Sequence, residues 1–244
     1  MLTSTDYAFE RMNGAESVPA EFSDFCADYH PQDRIGVVSP VMDDGVYGCA
    51  GALLACTTAY YDTKRHRNDG FFDYPQHFCV LDMDEDGVNT RQGRRKLDWQ
   101  TIGSPWGNLD VWPSCKWHGA AGGAAGMLQK VMDLQIDRLF WPERFAPARP
   151  QGAARLPKYV GMMLRTHLKQ VYYYATDRPT IRVRGSSVVA DLARNSIERL
   201  PGQSSVESAI PARSEANRWS WNELHRQSAP AEFMARFADY FAAE

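Results

Sequence analysis

The sequence predicts an α/β-type fold, α/β or α+β, built on a mixed sheet of about four to six strands with helices packed on it. Three observations carry this. Short apolar runs bounded by turn residues alternate with longer amphipathic stretches. The 244 residues are 44% hydrophobic and 23% charged, ordinary proportions for a packed domain. A chain of this length buries roughly 70–75% of its unfolded surface, so it needs neither disulfides nor a structural metal.

Residues 1–32 read as a helical or irregular lead-in, with Phe22, Phe25 and Tyr29 at helical spacing before Pro31. Ile35 to Ser39 is a short buried strand. Asp43 and Asp44 then signal a helix start, because carboxylates satisfy free N–H groups there. The helix runs from Val46 to about Asp62, and Gly48 and Gly51 allow a neighbour to approach closely. His77 to Leu81 forms a second apolar strand, the acidic turn 84–87 follows, and Val88 onward returns as a hairpin arm. A strand near Leu109–Trp117 leads through the glycine-rich stretch 119–126 into an amphipathic helix from Met127 to Phe140, ended by Pro142. The loop 146–154 separates this from a helix over Leu156–Tyr174. Thr180–Arg184 is a strand and Ser187–Leu200 a helix. Residues 1–200 are thus one domain, 201–216 a linker, and 217–244 a tail ending in an aromatic helix that Pro230 begins.

Composition narrows the function classes. A net charge of -3 argues against a broadly basic nucleic-acid surface. Arg91, Arg94, Arg95 and Lys96 form one local basic run. Five cysteines, widely spaced and without a CxxC, suggest neither a disulfide framework nor a zinc knuckle. The first residues lack the apolar core of a secretory signal, and no run reaches the ~18 apolar residues of a membrane span. A soluble, cytoplasmic protein with no metal, no cofactor and no membrane contact is the expectation.

The candidate catalytic set is Cys49, His77 and Asn89. Cys49 falls in the first turn of a helix, where free N–H groups favour a thiolate, although Asp43 and Asp44 oppose it. His77 opens the next strand as the base, and Asn89 on a return strand would orient the imidazole. The order cysteine, histidine, polar residue resembles that of papain-like hydrolases of the NlpC type. That resemblance implies attack by Cys49 on an amide or ester carbonyl. It covers only residues 47–89, and Gly48 and Ala50 stand where those enzymes carry Asp and Ser.

A second candidate is an anion site at Gly122 and Gly123, at the start of the helix after the glycine-rich stretch, with Arg94 or Arg95 as phosphate partners. The Lys-Ser/Thr of a P-loop is missing. The acidic turn opens like a calcium loop, but Gly93 holds the twelfth position, where a bidentate Glu is required. A third candidate is the tail. Phe233, Phe237, Tyr240 and Phe241 form a stripe suited to a protein partner or to self-association. An interaction or regulatory protein is therefore the leading expectation, with a cysteine hydrolase and a phosphate- or nucleotide-binding enzyme as alternatives.

Overall fold

A computed structural model describes residues 2–30, 33–39, 44–66, 77–82, 108–113, 124–145, 155–198 and 219–241. Its strands are β1 (Tyr7–Asn13), β2 (Glu16–Ala20), β3 (Ile35–Ser39), β4 (His77–Asp82), β5 (Asn108–Pro113), β6 (Arg138–Pro142), β7 (Gln170–Tyr174), β8 (Ile181–Ser186) and β9 (Trp219–Ser228). Its helices are α1 (Phe22–Phe25), α2 (Asp44–His66), α3 (Ala124–Asp133), α4 (Lys158–His167), α5 (Ser187–Glu198) and α6 (Pro230–Arg236). The strands form a single nine-stranded sheet in the order β2-β1-β8-β9-β7-β6-β3-β4-β5. The α/β class holds, and the sheet is larger than the four to six strands expected.

Strands β5, β4, β3, β6 and β7 are parallel neighbours, while β9, β8, β1 and β2 extend the sheet in antiparallel fashion. Side chains alternate between two cores, as a strand buried on both faces requires. Val37, Phe140, Tyr172 and Tyr174 join the cluster that α2 and α5 cover. Val38, Leu139, Trp141, Val171 and Tyr173 join the opposite cluster, covered by α3, α4 and α6. The result is a sheet with helices on both faces.

Several expectations shift here. The helix expected over Met127–Phe140 ends at Asp133. Gln135 then takes a left-handed turn at φ 52, and Arg138–Pro142 is β6. The helix expected over Leu156–Tyr174 divides into α4 and β7 in the same way. The lead-in contains the β1–β2 hairpin, and α1 is only four residues long. Residues 219–228, expected within an appended tail, form β9 in the middle of the sheet between β7 and β8. Both edges of β4 are taken by parallel partners, which leaves no room beside it for a hairpin arm. The expected arm at Val88 lies outside the described residues.

Among the described residues no helix is long and apolar enough to cross a membrane, and no group of His, Cys, Asp and Glu is arranged to hold a metal ion.

Candidate functional site at the carboxyl ends of the parallel strands

The chain order of the parallel strands defines where a ligand fits. From β3 the chain runs outward through α2 to β4, while β6 and β7 lie on the other side of β3, with α3 and α4 on the opposite face. The winding reverses between β3 and β6, and open α/β sheets bind ligands in the crevice beyond the carboxyl ends of the strands at such a point. A cleft of about 470 Å³ lies at this end of the sheet. Tyr47 and Gly48 from the start of α2 form one wall. Pro142 ends β6 and Arg144 and Phe145 follow it, Tyr174 ends β7 and Thr176 follows it, and Asn222 and Glu223 come from β9.

Close packing holds these walls. A Cβ on Gly48 would fall 2.1 Å from the Tyr174 ring, so α2 reaches β7 only because that position is glycine. The Tyr174 hydroxyl donates to the Val38 carbonyl at 2.6 Å, tying β7 to β3. Beyond β6, Glu143 accepts a hydrogen bond from the Thr176 hydroxyl and another from Arg226 Nε at 2.9 Å. Arg236 of α6 donates to the carbonyls of Glu143 at 2.6 Å and Phe145 at 3.1 Å, which fixes the turn carrying Arg144. On the rim one guanidinium nitrogen of Arg144 donates to both carboxylate oxygens of Asp177, at 2.8 and 2.7 Å, both side chains in solvent.

Glu223 is the buried charge of the site. Its carboxylate accepts from the Gly51 N–H at 2.5 Å, the Ala52 N–H at 2.9 Å and the Trp221 indole N–H at 2.7 Å, and pairs with His225 Nε2 at 3.0 Å. With four partners on two oxygens it anchors α2 to β9 and has little capacity left for proton transfer. A Cβ on Gly51 would sit 3.2 Å from Glu223 Oε1 and 3.0 Å from Trp221, so this second glycine also marks a close approach.

Of the catalytic residues expected from sequence, Cys49 and His77 fall among the described residues. Helix α2 begins at Asp44, so Cys49 lies in its second turn, past the free N–H groups that would favour a thiolate. The Cys49 thiol is fully buried and donates to the Gly45 carbonyl at 2.7 Å. Burial, reinforced by the Glu223 charge, pushes its pKa well above the ordinary thiol value. That is the opposite of what a nucleophile requires. His77 stands at the first residue of β4, one position before the partner of Ile35. The five steps from there to Asp82 span about 17 Å, and α2 starts at the far end. Asn89 lies outside the described residues, as do Gly122, Gly123, Arg94 and Arg95 of the expected anion site.

The aromatic stripe turns inward. Phe233, Phe237 and Tyr240 are buried, and Phe241 packs beside them, against Trp141, Tyr173 and the helices of the second core. Phe233, Phe237 and Tyr240 are core of their own chain, while Phe241 is half-buried beside them. Conversely, no sequence pattern singles out Arg144, Asn222 or Glu223 as site residues. The one available signal was Trp221, Glu223 and His225 at alternate positions, the spacing of one strand face.

No family model matches the chain, and no curated protein matches it. Among solved structures, N,N′-diacetylchitobiose deacetylase from Pyrococcus horikoshii, complexed with an inhibitor, is similar at a TM-score of 0.50 and 11% identity, over 82% of this chain and 85% of that one. The 4-carboxy-2-hydroxymuconate hydratase of Pseudomonas putida gives 0.48 and 10%, over 80% and 95%. A conserved protein of Thermus thermophilus gives 0.46 and 15%, over 78% and 92%. At such identities the likeness to the deacetylase is one of fold.

Proposed function

We propose that this protein is a small-molecule hydrolase that cleaves the N-acyl bond of a polar, sugar-like substrate held in the cleft at the carboxyl ends of β6 and β7. The observation that carries the reading is the cleft itself: about 470 Å³, at the reversal of the winding, with walls from α2, β6, β7 and β9. Its lining suits such a substrate. The Tyr47 and Phe145 rings offer apolar faces, while Arg144 and Asn222 offer donors on the rim. A deacetylase acting on an N-acetylated sugar is built on a similar fold, which supports the class by analogy alone.

In the proposed reaction water adds to the acyl carbon, the C–N bond breaks, and both protons of the water pass to the leaving nitrogen, giving a carboxylate and an ammonium ion.

Acetate release from N,N′-diacetylchitobiose tests this. Wild-type protein should release acetate, and Arg144→Ala should raise KM. No release from a panel of N-acylated sugars, with no shift of melting temperature on adding them, would refute the assignment.

A further inference from the structure

A second hollow lies on the outer side of α4. A groove of about 450 Å³ runs between α4 and the turn after α6. Met162, Met234 and Phe241 supply its apolar lining, and Arg155, Lys158 and Arg165 surround it against the single carboxylate of Asp239. Gly161 leaves its floor open, since a Cβ there would come no nearer than 3.4 Å to Met234 or Phe241.

The helix face beside the groove is unusually apolar for a surface. Tyr159, Met162 and Met163 are 62%, 64% and 44% exposed. Solvent-facing positions on a ten-residue helix gain nothing in the fold from these residue types, whereas Tyr, Met and Arg are the types enriched where proteins meet. Methionine in particular fits itself to varied partners. Among the described residues Arg155 and Arg165 make no ion pair or hydrogen bond, so both guanidiniums are available to carboxylates. A two-fold pairing of two copies would set these cations against their own counterparts, which argues against self-association here.

We propose that this groove docks an acidic segment of a partner protein. One apolar side chain of the segment seats between Met162, Met234 and Phe241, and flanking carboxylates engage Arg155 and Arg165. Docking here does not require hydrolytic activity.

Selection of phage-displayed random dodecapeptides on the full chain, with counter-selection on Met162→Asp/Arg165→Glu, tests the proposal. Both altered side chains are on the surface, so an unchanged melting temperature establishes that the variant is folded. Enriched peptides should carry Asp or Glu around an apolar residue. Synthetic copies should bind wild type at least about tenfold more tightly than the variant in fluorescence anisotropy, and more weakly as salt rises. No enrichment, or enriched peptides without carboxylates or indifferent to the variant, would overturn the proposal. So would a wild-type dimer lost in the variant, which points to a second copy, or cosedimentation of wild type alone with phosphatidylserine vesicles, which points to a membrane surface.

Discussion

Gly48 and Gly161 sit in helices and look alike in the sequence, yet the structure gives them opposite roles. At Gly48 a methyl group would penetrate the Tyr174 ring, which is itself pinned by its hydroxyl to Val38. Gly48→Ala should therefore cost about 1–3 kcal/mol, the usual penalty for overpacking, and narrow the cleft. At Gly161 a methyl group meets ordinary contacts, and the helix interior favours alanine. Gly161→Ala should stabilise by roughly 0.5–1 kcal/mol. Urea denaturation of the two variants checks the sign of each. Glu223 makes a sharper case. Glu223→Gln keeps the shape but turns an amide N–H₂ toward donors, leaving at least one buried N–H unpaired at a cost of about 1–3 kcal/mol. The same denaturation series measures it. None of these roles was readable from composition. The sequence showed small residues in α2 and a Trp-x-Glu-x-His alternation, but which side chain each would meet depends on a neighbour some 170 residues away.

At the level of elements, the strands legible in advance were those punctuated by turn residues. β3 precedes Pro40 and the Asp pair, and α2 follows with small residues on the face it buries. β6 and β7 fall at the ends of helices that the sequence predicts, for a physical reason. Both are five-residue, almost continuously buried runs that follow an amphipathic helix closely, and such a run has no period to separate strand from helix. β9 hid differently. Glu223 and His225 occupy buried positions and pair through His225 Nε2, so the strand lacks the apolar face that signals one. Its central place yields a prediction. Removing residues 217–244 strips the shared partner from β7 and β8 and removes Phe233, Phe237 and Tyr240 from the second core. The truncated chain should show no cooperative thermal transition. A truncated chain that melts cooperatively near the full-length temperature would mean that β9 is dispensable.

Over the whole molecule, charged pairs tie distant segments into one unit. Asp33, buried before β3, accepts from Arg138 Nε at 2.7 Å and pairs with Lys169, joining the start of the parallel sheet to β6 and the approach to β7. Burial alone would raise the Asp33 pKa, but the bonds from Lys169 and Arg138 outweigh it and hold the carboxyl below its ordinary value of 3.8. Glu10, between Arg184 and Arg182 on the antiparallel side, is lowered in the same way against its own burial. Groups depressed by folding bind fewer protons in the native state, so their stabilisation is complete above the ordinary carboxylate pKa and is lost as pH falls below it. Melting temperature should be flat toward neutral pH and fall steeply below about pH 4. In Asp33→Asn the acid loss should be shallower, because one of the linked protons is gone. The same organisation places the cleft. The parallel half positions its floor, and the antiparallel strand β9 closes its side with Asn222 and Glu223. The sequence indicated an α/β chain but not where its chemistry sits, since the winding reversal exists only once the strand order does.

Titration calorimetry of N,N′-diacetylchitobiose into wild type and Asn222→Trp puts the cleft to the most direct test. Asn222 is a solvent-facing residue of β9 on the cleft wall, so the indole blocks the space without entering the core. Wild type should bind, and the folded variant should bind at least about tenfold more weakly; equal affinity in both would contradict the assignment of this cleft as the functional site.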